Sequence, residues 1–399
     1  MKPKDNPRER RTILAEELER RNLDTAIISD PRHIYYFTGF TSTMHLQDIS
    51  RRTSRPLSFF GLGKDGSSFL VLAGSDLINP FFGEEIVTSK DIFDGPVYTY
   101  GDYKIGERMV AYPNFVSEEL VEVLDDMKTK GGFNFDRVGV EDWHLPEAFR
   151  SAIAHAFPKI DFFGLSELIL STRKVKGADE VYCLREATKR LGVTYEIARQ
   201  YAKVGMTESD MYRQINSEFS KQFGIAALVV GDLISGSRTL DVIGPPTDRK
   251  FNYGDSIILD LQTCFNNYWS DTSRTFVAGK ASEKQERVCK ILQRAQEKGE
   301  NLLKPGTKGK EIYRAVSGEI SKAGYSNGLI HHAGHGIGLE HREPPFFLPN
   351  SEDVLEEGVV CSIEAGIYDP SAGGMRIEDC YLIAKNGYEK VSSFNAGLS

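Results

Sequence analysis

Asp255-Ser256-Ile257-Ile258-Leu259-Asp260-Leu261, followed after Asn266-Asn267 by a second run through Asp271 to Phe276 and Val277, is the stretch on which the fold turns. Two strand-like runs joined by an Asn-Asn pair read as a β-hairpin. With the turn centred on Asn266-Asn267, Asp260 pairs with position 273, and Asp271 becomes its diagonal neighbour on the same face, roughly 7–8 Å away. Taken alone, the two would read as solvent-facing strand aspartates. The pattern recurs at Cys361-Ser362-Ile363-Glu364-Ala365-Gly366-Ile367 and Met375-Arg376-Ile377-Glu378-Asp379-Cys380, where glutamates sit inside apolar strand text around a Gly-rich loop. Acids rarely occupy such places without a partner. Arg376 could pair with Glu378, but four acids so placed, with few cations nearby, ask for a metal.

His335 is the fifth candidate. In Ala333-Gly334-His335-Gly336-Ile337-Gly338 the small neighbours let backbone crowd close to whatever the imidazole holds. Beside glycines alone it would be a structural histidine. Added to Asp260, Asp271, Glu364 and Glu378 it completes a carboxylate-rich, one-imidazole set suited to two divalent ions such as manganese, cobalt, iron or zinc.

Outward from the hairpin, Lys203 to Phe223 aligns without a gap on Lys304 to Gly324 at a constant offset of 101, with seven identities. Each copy reads as a helix end, a Gly turn (Gly205, Gly306) and a second helix, with Thr207 and Asp210 as an approximate capping box in the first. Two copies favour a pseudo-symmetric pair of α+β halves with a cleft between them. The first of these helices carries Val181, Leu184, Ala187, Leu191, Tyr195, Ala198 and Ala202 at threes and fours. Before it, Thr25 to Ile28, Ser68 to Leu72 and Arg137 to Val140 read as strands of an α/β domain. The expected domains are therefore 1–163 and 164–399.

The 399 residues, 40% hydrophobic and 27% charged, suit a globular chain of two domains. A formal charge of −8 gives no global positive field for nucleic acid. The basic stretch of Lys2, Lys4, Arg8, Arg10 and Arg11, interleaved with Asp5 and Glu9, reads as a solvated helix start. No apolar run approaches a membrane span and the N-terminus is too charged for a signal peptide, so a cytoplasmic protein is expected. Cys183, Cys264, Cys289, Cys361 and Cys380 are odd in number and never spaced CxxC, which suits reduced core thiols.

Tyr268-Trp269-Ser270-Asp271-Thr272-Ser273-Arg274-Thr275, Gly334 to Gly338, Ile363-Glu364-Ala365-Gly366 and Arg376-Ile377-Glu378-Asp379 resemble the signature segments of the Xaa-Pro peptidase, prolidase and creatinase family. Pro31 to Phe40 resembles that family's first domain, so the likeness spans nearly the whole chain. It implies an α+β pita-bread C-terminal domain after an α/β N-terminal one. It also implies two divalent ions, with Asp260 on one, Asp271 and Glu378 bridging, and His335 with Glu364 on the other. Further implications are hydrolysis by water activated between the ions, a dipeptide or other small-molecule substrate, and a homodimer.

The departures concern substrate. The family's histidine upstream of the stretch Pro246-Thr247-Asp248-Arg249 falls here on Ile243. A second family histidine, seven residues after the metal histidine, falls on Arg342, with Glu343 and Pro345 in register; a one-residue slip would seat His341 instead. Catalytic candidates are thus Glu364, Glu343, Arg342, His341 and Arg376, with His331 and His332 as possible cleft-lining groups. Three readings stand: a prolidase-type hydrolase of a dipeptide or small amide, a non-peptidase branch (creatinase-like, ectoine-hydrolase-like or lyase) acting on a small zwitterionic metabolite, and an inactive binding module. Retention of all five ligand types argues against the last, whereas Ile243 and Arg342 favour the second, because a guanidinium can grip a carboxylate.

Overall fold

The computed structural model describes residues 6–41, 58–73, 78–79, 87–88, 93–100, 102–105, 108–111, 117–224, 228–325, 329–392, 394 and 397–398. The chain divides into two compact units between Ile169 and Leu170. Sequence texture put this boundary at 163; the helix Ser166–Arg173 runs across the observed division. Among the described residues no helix is long and apolar enough to cross a membrane, and all five cysteines are free thiols.

The first unit contains β1 (Thr25–Ile28), β2 (Ser58–Gly63), β3 (Ser68–Ala73), a ribbon of β4 (Ile78–Asn79) and β5 (Val87–Thr88), β6 (Val97–Tyr100), a ribbon of β7 (Asp102–Ile105) and β8 (Arg108–Ala111), β9 (Arg137–Val140) and β10 (Asp161–Gly164). Its main sheet has the order β10-β9-β1-β2-β3-β6. β1, β9 and β10 run parallel, while β2 is antiparallel to both its neighbours. Ile27, Phe59, Val71 and Val138 form its core with Leu124 and Met127 of the helix Ser117–Thr129 and Phe149 and Ile153 of the helix Glu147–Ala156. The helix Pro7–Arg20 corrects one expectation. Arg10 and Arg11 are buried rather than solvated, because their guanidinium groups donate to the carbonyls of Tyr36 and Phe37 at the end of the helix Pro31–Thr38. Arg10 also stacks on the Tyr36 ring at 4.6 Å, so stem and charge are both satisfied.

The second unit is α+β. Its strands are β11 (Val229–Ser235), β12 (Ser256–Phe265), β13 (Tyr268–Val277), β14 (His335–Gly336), β15 (Glu343–Phe346), β16 (Val360–Asp369), β17 (Gly373–Ala384) and β18 (Gly387–Lys390), in the order β11-β12-β13-β17-β16-β14-β15 with β18 on β17. The repeat is visible in three dimensions. The helices Ala178–Tyr201 and Glu208–Phe223 meet through Gly205 (φ 89°), and Glu283–Glu300 and Gly309–Lys322 through Gly306 (φ 92°). Each turn needs a left-handed residue that glycine adopts without Cβ strain. Thr207 Oγ1 caps the first copy by accepting from the Asp210 amide at 3.0 Å.

In β12, β16 and β17 the odd-numbered residues face the helices, whereas in β13 the even-numbered Arg274 and Phe276 do. Ile257, Leu259 and Leu261 pack with Leu191, Tyr195, Met211 and Phe219, and Ile363, Ile367, Met375 and Ile377 with Val288, Leu292, Ile312 and Val316. The halves join at β13 and β17, where Ser273 pairs with Glu378. Arg274 bolts this seam. It is buried on the helix side, donates to the carbonyls of Ser273 (2.8 Å) and Glu378 (2.7 Å), and pairs with Asp379 (2.5 Å). Asp379 also accepts from Ser392 and Gln296 and meets Lys390.

Removing one member of a buried charge pair leaves the other uncompensated, whereas a half-exposed partner is screened. Asp379→Ala should therefore lower unfolding stability by about 3–5 kcal/mol, and Lys390→Ala by about 1 kcal/mol or less. Denaturant titration of both variants checks the contrast.

Candidate metal centre

The residues alternating with these helix-facing positions, even-numbered in β12, β16 and β17 and odd-numbered in β13, face the other side. The hairpin turn has Asn266 (φ 48°) and Asn267 (φ 66°) both left-handed, as a type I′ turn demands. It sets Asp260 opposite Ser273 and Gln262 opposite Asp271. The second hairpin sets Glu364 opposite Glu378. With Ser273 against Glu378, and Asp232 of β11 against Asp260, one row crosses five strands: Asp232, Asp260, Ser273, Glu378, Glu364. Asp271 and Arg376 lie two residues along from this row and share its face.

His335 enters from β14. Gly334 (φ 141°) lies so close to the Ser362 carbonyl that a Cβ would overlap the oxygen, and this approach lays the His335 backbone beside β16. His335 Nδ1–H donates to the Gly336 carbonyl at 3.0 Å, leaving Nε2 3.7 Å from Asp271 Oδ2 and 3.6 Å from Glu378 Oε1. The ligand atoms of Asp271, His335 and Glu378 all lie within 4.8 Å of one another. Gln262 Nε2 donates to both Asp260 (2.9 Å) and Asp271 (2.8 Å), so those carboxylates also converge.

Burial, then the charge of Glu378, pushes the Asp271 carboxyl well above the usual range; burial, then Glu364, does the same to Glu378. Burial also opposes ionisation of Glu364, but His331, Arg376, His332 and His335 gathered around it hold its carboxyl down at about 2. His335 is pushed down to about 3 by burial and by His332, so its ring is neutral at pH 7, as a ligand requires. Arg376 Nη2 lies 2.8 Å from Asp260, and Nη1 lies 3.6 Å from Glu364. It is the one guanidinium ion-paired within the row among the described residues. Glu378 Oε1 is buried without a hydrogen-bond partner among the described residues. An orphaned carboxylate oxygen, a neighbouring acid driven toward its protonated form and a neutral imidazole aimed between them fit a divalent cation.

The other candidates are placed differently. Glu343, expected among the catalytic groups, is buried with one carboxylate oxygen on Arg173 and the other 2.6 Å from Lys176 Nζ. Burial opposes its ionisation, but Lys176 and Arg173 hold its pKa low. The His341 ring meets Trp269 edge to face at 6.3 Å, and Arg342 is exposed with its charge bearing on Asp232, His332 and His335. Ile243 is 65% exposed, beside a Gly244 amide that donates to Asp232 at 3.0 Å. Asp232, Gln262 and Tyr368 were missed. Asp232 carries no motif and becomes visible only once β11 is paired with β12, whereas the even spacing of Gln262 from Asp260 was a legible signal.

A model of metallopeptidase family M24 matches residues 182–385, and a creatinase/prolidase N-terminal domain model matches residues 10–175. The chain belongs to metallopeptidase family M24. An uncharacterized peptidase of Staphylococcus haemolyticus (strain JCSC1435) is 27% identical over 385 residues, covering 96% of this chain and 98% of the relative. The prolidase from Pyrococcus horikoshii OT3 superposes with a TM-score of 0.79 at 25% identity, covering 98% of this chain and all of that one. The Xaa-Pro dipeptidase from Bacillus anthracis, at 23% identity and a TM-score of 0.80, shares the fold over 98% of this chain and 99% of its own. The C-terminal unit of this M24 chain is accordingly the pita-bread fold.

In the metal-free protein the raised folded-state values of Asp271 and Glu378 oppose stability at neutral pH. Below about pH 4 both folded and unfolded forms hold these protons; as pH rises, the unfolded chain releases them first, and the stability they contribute is lost until the folded values are passed. Asp271→Asn should therefore melt higher than wild type in chelator at about pH 8, with the gap shrinking toward pH 5. The same variant should gain less from added manganese or zinc. Thermal unfolding with and without metal reads both effects.

Proposed function

We propose that this chain is a divalent-metal-dependent hydrolase that cleaves a C–N bond in a dipeptide or small amide. The observation that carries the reading is the gathering of Asp260, Asp271, Glu364, Glu378 and His335 on one buried face with a single compensating arginine. Asp260, Asp271 and Glu378 would hold one ion, and Asp271, Glu378, His335 and Glu364 a second. When bound, such ions polarise a carbonyl and make water acidic enough to attack near neutrality.

The protein groups divide the remaining work. Glu364, ionised and adjoining the reacting space, takes a proton from the attacking water and passes it to the departing nitrogen. Arg376 fixes the orientation of Asp260 and Glu364 through its two Nη atoms and offsets their repulsion. Membership in the M24 family and the 25% identity to a prolidase over essentially the whole chain support hydrolysis of this type.

A second reading, hydrolysis of a small zwitterionic metabolite, is favoured by one feature. Ile243 stands exposed beside Asp232, where the resemblance leads one to expect an imidazole, and the exposed Arg342 bears on Asp232 as well as on His332 and His335. Loss of one transition-state donor typically costs about 3–4 kcal/mol. Wild type is therefore expected to turn over Xaa-Pro dipeptides weakly and to favour small amides whose own carboxylate can meet Arg342. Rates and Michaelis constants on an Xaa-Pro panel and on creatine-like and cyclic amidines, for wild type and Ile243→His with manganese, cobalt or zinc, test this. Wild-type cleavage of Xaa-Pro at ordinary prolidase rates would overturn the second reading, and a gain of that activity only in Ile243→His would support it.

A further inference from the structure

Resting on the metal-centre reading above, we propose that His332 is a second imidazole ligand on the Glu364 side of the centre, so that His332, His335 and Glu364 together select a zinc- or cobalt-class ion. His332 precedes His335 by three residues, and the two rings meet edge to face with centroids 5.2 Å apart. Its Nδ1 lies 3.2 Å from Glu364 Oε2. That nitrogen is buried and makes no hydrogen bond among the described residues. Two ligand atoms bonded at about 2.1 Å to one cation, at angles between about 90° and 109°, stand about 3.0–3.4 Å apart. The observed separation falls in that span.

His331 looks equally available but is not. Its Nδ1 lies 2.7 Å from the His332 carbonyl, which only accepts, so Nδ1 carries the proton. Nε2, 2.9 Å from the Tyr368 hydroxyl, is then the acceptor of that O–H. Both nitrogens of His331 are committed, and it positions Tyr368 rather than a cation. His332 has no such commitment at Nδ1. A second imidazole added to the oxygen ligands shifts preference from manganese toward zinc and cobalt.

The test uses full-length protein stripped with chelator and titrated separately with zinc and with manganese, for wild type, His332→Leu, His332→Asn and His331→Phe. The proposal expects zinc binding weakened at least about tenfold in both His332 variants, manganese binding changed by less than about threefold, and zinc binding by His331→Phe close to wild type. The visible spectrum of bound cobalt should shift in the His332 variants alone. X-ray absorption of wild type loaded with zinc should count two imidazoles across the centre, a result that needs no variant to fold. Unchanged zinc affinity and cobalt spectrum in folded His332 variants, an equal loss for zinc and manganese, or a count of one imidazole would overturn the inference while leaving the centre standing. Failure of wild type to bind zinc, cobalt or manganese would instead overturn the centre itself.

Discussion

Four buried carboxylates and one buried arginine on a single face of the sheet are the constraint around which the second unit is arranged. Left alone, Asp271 and Glu378 repel each other in a medium that cannot screen them, and burial penalises each charge again. A chain gains nothing in stability from such a group. Its presence is intelligible as a site held ready for cations, with the cost carried by the surrounding packing.

That packing is visible residue by residue. The same alternation that turns Asp260, Glu364 and Glu378 to one side turns Leu259, Ile363 and Ile377 against the helices. Arg274, on the helix side, ties the backbone of Ser273 to that of Glu378, so the register that aligns the acid row is fixed by a buried ion pair on the opposite face. Near His335, Gly334 admits the Ser362 carbonyl, and Glu343 clamps β15 to Arg173 and Lys176. Glycine spacing and a distant salt bridge thereby serve one imidazole.

Much of this is legible in the sequence. The Asn266-Asn267 turn yields the observed pairing of Asp260 with Ser273 because a two-residue loop leaves no freedom in register. The offset of 101 marks the paired helices because both copies use the same Gly turn. Other features depend on contacts between segments far apart in the chain. Asp232 joins the row only through β11, and Arg10 and Arg11 are buried because helix-end carbonyls from residues 36 and 37 happen to receive them. Glu343 sits in the family's register yet faces two cations from residues 173 and 176, which spacing alone could not reveal.

The central claim is that protons on the Asp271 and Glu378 pair occupy the place of divalent ions and leave when those ions bind. Calorimetric titration of chelator-stripped protein with manganese or zinc, repeated near neutral pH in buffers of different ionisation enthalpy, measures the protons released per chain. Saturable binding with release of at least about one proton is the expected result, and the release should fall in Glu378→Gln. Binding without proton release, or no binding at all, would contradict the account.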